Sequence, residues 1–316
     1  MRIITIGTPL PDFVIHVSKE YLAENVGPKE SYVTIKELAV FQERVKNLPS
    51  IPVESSGGSA LNTSKGLQGL GENECIHLGV IGSDTVGHDL EENLRKRGII
   101  SVLQKIEGDT GRIIGYVTPG GNRTFCYFPG VSDAMADLDL NPALFKGADL
   151  VHMDGYTLLF PELCERVITI AKEHGVAVSF NMPSYTLVEA KKPELQKLLK
   201  RVDLLIGNKL EAQTFTGKEP REACLELQKI CPTVVVTTGK KGGWVADKEG
   251  IDSFEAVPTE VVDTLGAGDY FTAGFAHAWL RKKPKKECAH LGAKLAAEVI
   301  KIVGADLSPD KVKSVL

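Results

Sequence analysis

The 316-residue sequence predicts an α/β protein: a doubly wound, mostly parallel sheet covered by helices on both faces, with a small β layer beside it. Three observations predict this. Short β-branched runs alternate with amphipathic helical stretches, the pattern of parallel strands joined by crossover helices. Several runs are almost continuously apolar, as strands covered on both faces require. Two segments break the rhythm, and the second reads as a hairpin.

The strands are expected at 3–6 (IITI), 76–81 (IHLGVI), 149–153 (DLVHM), 176–180 (VAVSF), 203–206 (DLLI) and 233–237 (TVVVT). Helical patterns lie near 60–70, 86–98, 161–174, 192–201, 209–216 and 220–230, and residues 269–303 read as mainly helical. Residues 13–56 and 101–130 break the alternation. In the second, RIIGYVTP and RTFCYF flank Gly120-Gly121-Asn122, a turn signal between alternating strands. Both segments are expected to form a lid over the active face.

Composition narrows the function. A net charge of −4 argues against a nonspecific nucleic-acid binder or a basic membrane-surface protein. The N-terminal apolar run is too short for a signal-peptide core, and no run reaches the roughly 18 apolar residues of a membrane span. Six scattered cysteines without a Cys-x-x-Cys pair suit a reduced, cytoplasmic protein with buried thiols. The seven histidines show no metal-binding spacing. No Walker phosphate loop, no dinucleotide fingerprint after the first strand and no Gly-x-Ser-x-Gly elbow occurs.

DTLGAGD at 263–269 precedes the small and apolar stretch YFTAGFAHAWL. Gly266, Ala267 and Gly268 let a ligand approach the backbone, and the free N–H groups and dipole of a helix start attract a phosphoryl group. Asp269 beside that anion site would repel its ligand, unless it takes a proton from an attacking hydroxyl. Taken alone, the segment reads as readily as a capped turn. GGSALNTS at 57–64 also precedes a small-residue helix, where Gly57, Gly58 and Asn62 can bind hydroxyls or simply form a helix start. Asp12 follows the first strand, at the end where open α/β sheets bind ligands, and can accept from a vicinal diol. Asn208 and Glu211 follow the strand at 203–206 and can hold Mg²⁺ through water or make a helix cap. Thr237, Gly239 and Gly242 in TTGKKGG fit a nucleotide loop or a glycine turn. Arg123 can reach a phosphate from the lid.

Order and spacing then count for more than any one piece. The chain resembles the PfkB (ribokinase-like) family of carbohydrate and nucleoside kinases, through DTLGAGDYFTAG at 263–274, GGSALNTSKGLQGLG at 57–71, NKLE at 208–211 and VTTGKKGG at 236–243. The resemblance implies a single ribokinase-like domain over 1–316, with a Rossmann-like sheet and a small β lid. It implies transfer of the ATP γ-phosphoryl group to an alcohol, with Asp269 as base and Gly266, Ala267 and Gly268 as the anion hole. Asn208 and Glu211 would organise Mg²⁺ and phosphates, and Thr237, Gly239 and Gly242 would lie along the nucleotide. Asp12, Gly57, Gly58 and Asn62 would grip the acceptor, and a monovalent cation such as K⁺ would sit near Asp263.

GTPLPD, GGNRTF and LGAKLAAEVIKIVGA are similar to segments of the adenosine kinase branch, although Thr8 replaces its usual Asn. The implied acceptor is a nucleoside, adenosine first, with a free sugar as the alternative. Phe13, Phe125, Tyr127 and Phe128 can form a slot for the base or pack the lid. The resemblance fits a monomer or a homodimer.

Overall fold

The computed structural model describes residues 1–26, 32–119 and 123–316, with only the backbone of Tyr32 and Arg123. It has two sheets. The strands are β1 (Arg2–Ile6), β2 (Leu10–His16), β3 (Tyr32–Thr34), β4 (Val53–Gly57), β5 (Glu74–Gly82), β6 (Ile100–Ile106), β7 (Arg112–Val117), β8 (Arg123–Phe128), β9 (Leu150–Met153), β10 (Ala177–Asn181), β11 (Leu204–Asn208), β12 (Thr233–Thr237), β13 (Gly243–Asp247) and β14 (Gly250–Phe254).

The large sheet has the order β14-β13-β12-β11-β10-β9-β1-β5-β6. It is parallel from β6 to β12, and β13 and β14 extend it antiparallel. Alternate side chains face opposite sides. Ile4, Ile6, Val151, Phe180 and Val234 pack with residues of the helices Pro161–Glu173, Lys192–Leu199 and Pro220–Gln228. Ile3, Leu150, Leu204 and Val235 pack with residues of the helices Ser59–Gly69, Ala267–Leu280 and Lys285–Val299. That double covering explains why these strands read as unbroken apolar runs. All six cysteines are free and buried.

The small sheet has the order β3-β8-β7-β2-β4, with its own core of Ile15, Leu22, Phe41, Ile114, Tyr116 and Phe128. β7 and β8 pair antiparallel, as a hairpin requires; the turn expected at Gly120-Gly121-Asn122 lies outside the described residues. One expectation needs correction. The run beginning SVLQKIE belongs to β6, the edge of the large sheet, because it pairs along β5 from Ile76↔Ile100 to Gly82↔Ile106. The small-sheet segments also carry two helices, Lys19–Asn25 and Leu38–Lys46.

Strand order places the site. β1 lies between β5 and β9, so the chain winds outward in both directions from it. A crevice opens where the winding reverses, outside the carboxyl ends of the strands.

Candidate active site

A cavity of about 590 Å³ occupies that crevice, within the roughly 300–1,000 Å³ usual for small-molecule sites. The exits of the parallel strands line it: Thr8 after β1, Asp154 after β9, Asn181 ending β10, Asn208 ending β11 and Thr237 ending β12. Leu10, Asp12, Thr34, Ile113, Phe125 and Tyr127 of the small sheet line the same space.

Asp269 stands in the first turn of the helix Ala267–Leu280. Gly266 caps that helix at φ 74° with no side-chain hydrogen bond, and a β-carbon there would fall 2.6 Å from Ala305 Cβ. Glycine is required on both counts. Gly268 is exposed, and a β-carbon on it would meet nothing within 4 Å. The helix start is therefore open toward the cavity, with the partial positive charge of a helix N-terminus, although its Ala267 N–H is turned onto Thr264 O at 3.3 Å. Gly268 and Asp269 line the cavity; Gly266 and Ala267 lie just behind them.

The Asp269 carboxylate is oriented by the helix Ser59–Gly69. Ser59 Oγ donates to its Oδ1 at 2.6 Å, and Asn62 Nδ2 donates to its Oδ2 at 3.0 Å. Asn62 Oδ1 is buried with no hydrogen-bond partner among the described residues, and Asn62 lines the cavity. Gly58, at φ 100°, starts this helix and also lines the cavity. Gly57 lies behind it, against the buried Asp12; a β-carbon there would fall 1.9 Å from Asp12 Oδ2.

At the other end, Asn208 and Glu211 form a reciprocal cap on the helix Lys209–Thr216. Asn208 Oδ1 accepts from the backbone of Leu210 and Glu211, and Glu211 Oε2 accepts from Asn208 N at 2.8 Å. The helix-start reading is therefore realised, and both side chains also face the cavity. Burial, reinforced by the negative charge of Asp269, pushes the Glu211 carboxyl up to about 8 against the hydrogen bonds from Asn208. A carboxylate so destabilised in its charged form suits a cation beside it. No group of three or more His, Cys, Asp or Glu close enough to cage a metal occurs among the described residues. Sparse oxygen donors fit Mg²⁺, which keeps several waters and shares phosphate oxygens.

Thr237 lines the cavity, whereas Gly239 and Gly242 stand back from it. Gly242 has φ 78°, and a β-carbon would fall 1.9 Å from Phe254 O, so the close approach of β13 to β14 demands it. Asp263 is buried away from the cavity and accepts from the backbone N–H groups of Leu265 and Gly304, tying the approach to the helix Ala267–Leu280 to the C-terminal loop. The Arg123 side chain is outside the described residues. Of the four aromatic candidates, Phe125 and Tyr127 line the cavity, while Phe13 and Phe128 pack on Phe41 with ring centres 6.0 and 6.1 Å apart.

Sequence reasoning passed over Ser59, Asp154 and Asn181. The rule that selected Asp12, Asn208 and Thr237, a polar residue just past a parallel strand, selects Asp154 and Asn181 as well.

The sequence pattern of the pfkB family carbohydrate kinases matches residues 27–311. The chain belongs to the pfkB family. It is a phosphotransferase with an alcohol group as acceptor and uses ATP, as its family does. It is 26% identical to the adenosine kinase of Saccharomyces cerevisiae over 98% of both chains. It is 29% identical to an uncharacterized sugar kinase of Archaeoglobus fulgidus, over 76% of this chain and 96% of that one. The crystal structure of adenosine kinase from Sinorhizobium meliloti superposes with a TM-score of 0.89 at 25% identity, covering 99% of this chain and 97% of the other. The ribokinase-like fold expected from the motifs is thus the observed one. Among the described residues, no helix is long and apolar enough to cross a membrane.

Proposed function

We propose that this pfkB-family kinase transfers the γ-phosphoryl group of ATP to a hydroxyl of a nucleoside, adenosine first. The observation that carries the chemistry is Asp269, a carboxylate fixed by Ser59 and Asn62 beside an open helix start. In this reading Asp269 accepts the proton of the acceptor hydroxyl as its oxygen attacks the γ-phosphorus. The bond to the bridging oxygen breaks and ADP leaves. The N–H groups at Gly266, Ala267 and Gly268 hold the charge of the transferring group, which needs alignment and neutralisation more than covalent help. Mg²⁺, held through water by Asn208 and Glu211, supplies charge neutralisation at the phosphates when bound. Thr237 lies along the nucleotide.

On the acceptor side, Asp12 takes hydrogen bonds from two neighbouring hydroxyls and Asn62 Oδ1 from one. The nucleoside choice rests on the cavity wall: Leu10, Ile113, Phe125 and Tyr127 give the small sheet an apolar, aromatic lining suited to a flat base. The yeast and Sinorhizobium relatives support it, and the full-length match to the yeast enzyme includes the small-sheet segments. The small sheet acts as the lid that excludes water. A sugar acceptor is the second reading, favoured by the Archaeoglobus relative.

A panel of adenosine, inosine, ribose and fructose with ATP and Mg²⁺ separates the two. Adenosine is expected to give AMP with the highest kcat/KM, and to raise Tm in the presence of a non-hydrolysable ATP analogue. Turnover and stabilisation by free sugars alone would replace the nucleoside reading with the sugar one.

A further inference from the structure

Asp154 is a carboxyl with 3% exposure at the switch point of the sheet, and the chemistry above leaves it unused. It directly follows β9 and lines the cavity. Its Oδ1 accepts from the backbone of Tyr156 at 3.0 Å and Thr157 at 3.1 Å, capping the short turn Gly155–Leu159. Its Oδ2 accepts from Ala60 N at 3.3 Å, in the first turn of the helix Ser59–Gly69. That helix starts on Gly58, which has no side chain to offer as a cap. Asp154 supplies the missing acceptor from another strand. The exit of β1 makes room for it, since a β-carbon on Gly7 would fall 2.3 Å from Asp154 Oδ2. The flanking residues of the capped turn, Ser59 and Asn62, are the two that hold the Asp269 carboxylate.

We propose that Asp154 is a positioning residue for the catalytic base. It caps the helix Ser59–Gly69 from the end of β9 and so fixes Ser59 and Asn62 on Asp269. The inference rests on Asp269 being the base. The ionised form of Asp154 is the one that accepts all three backbone N–H groups. Among the groups around it, Asp269 on the helix Ala267–Leu280 carries a repelling negative charge. Cys164 on the helix Pro161–Glu173 stays neutral, its thiol pushed by burial up to about 12. The helix Ser59–Gly69 and β1 meet it through Ala60 and Gly7, which do not titrate. Burial, with the Asp269 charge adding to it, pushes Asp154 up to about 7, so its charge changes inside the working pH range.

The test uses Asp154→Asn and Asp154→Ser, with ATP, Mg²⁺ and whichever acceptor turns over in the panel. Serine keeps a good cap on the turn Gly155–Leu159 but is too short to reach Ala60. Both variants are expected to lose about tenfold or more in kcat, as a misplaced catalytic group does, with KM for ATP within about twofold of wild type. Both should also lose the acidic limb of kcat near pH 7. Tm should not fall above pH 7: a carboxyl whose folded pKa is raised destabilises the fold as pH climbs from its unfolded value through the folded one. Wild-type kcat with the limb intact, or an activity loss that tracks a loss of Tm, overturns the proposal. Asp269→Asn runs alongside. If it turns over normally, the base assignment has failed; if it is inactive while both Asp154 variants behave as wild type, the positioning role alone has failed.

Discussion

Among the helices that start at the cavity, two differ in one respect at their N-terminal ends. The helices Ser59–Gly69 and Ala267–Leu280 both start on a left-handed glycine, Gly58 or Gly266, and neither has a side-chain cap from its own N-cap residue. The first receives the carboxylate of Asp154 on Ala60 N. The second is left open, with clear space around Gly268. A helix start attracts negative charge in either case. Where the protein supplies that charge itself, the end is a structural joint. Where it does not, the end is the one proposed for a ligand's anion, and Asp269 beside it accepts from Ser59 and Asn62.

The largest expected effect breaks the open end by removing its proposed base. Asp269→Asn should lower kcat by on the order of 10² or more while ATP affinity, measured by calorimetry, stays close to wild type. Unaltered turnover would contradict the role. A smaller effect comes from making the open end resemble the closed one. Gly268→Asp places a carboxylate where the phosphates are expected and should weaken ATP binding by about tenfold or more. Gly268→Ala, with open space for its methyl, should bind ATP nearly normally. Equal losses in the two variants would point to sterics rather than charge.

The smallest effect is read as stability. Glu211 sits in the fold with its carboxyl raised to about 8, mainly by burial. The unfolded chain then holds fewer protons than the folded one between roughly pH 4.5 and 8, so this group costs the fold stability as pH rises through that window. Glu211→Gln should therefore raise Tm at pH 8 by roughly 2–4 °C and leave it nearly unchanged at pH 5. The same variant should need more Mg²⁺ for half-maximal rate. A Tm difference that is flat with pH would place the Glu211 carboxyl in its ordinary range.

Most of the large sheet was legible because its strands are covered on both faces. IITI, VAVSF and TVVVT have no polar face to confuse their period, and each became a strand. The hairpin of β13 and β14 was not legible. Its connection is Lys248-Glu249, without the Asn-Gly signal, and the left-handed residue is Gly250, which follows it. β6 was misassigned because its pattern, apolar on alternate residues, suits an edge strand of either sheet.

At the site, Asp269, Asn62, Asp12, Asn208 and Glu211 were legible from strand exits and helix starts. Asp154 lay within reach of the same strand-exit rule, but its contact across the fold did not. Besides the local Tyr156 and Thr157, it bonds the distant Ala60 N, a pairing that a sequence does not reveal. The fates of Phe13 and Phe128 were likewise open, since alternation along one strand does not say which sheet face meets a ligand. Phe41, on a helix that no motif announced, took both.

The burial of every thiol gives the chain an internal timer. Cys126 lies in the core of the small sheet, while Cys75, Cys164, Cys224, Cys231 and Cys288 lie in the body of the large one. Alkylating reagents reach each sulfur only when its surroundings come apart, so modification rates report local opening. Comparing Cys126 with the other five, with and without bound nucleotide, reads out whether the two layers open separately or together, with no introduced probe.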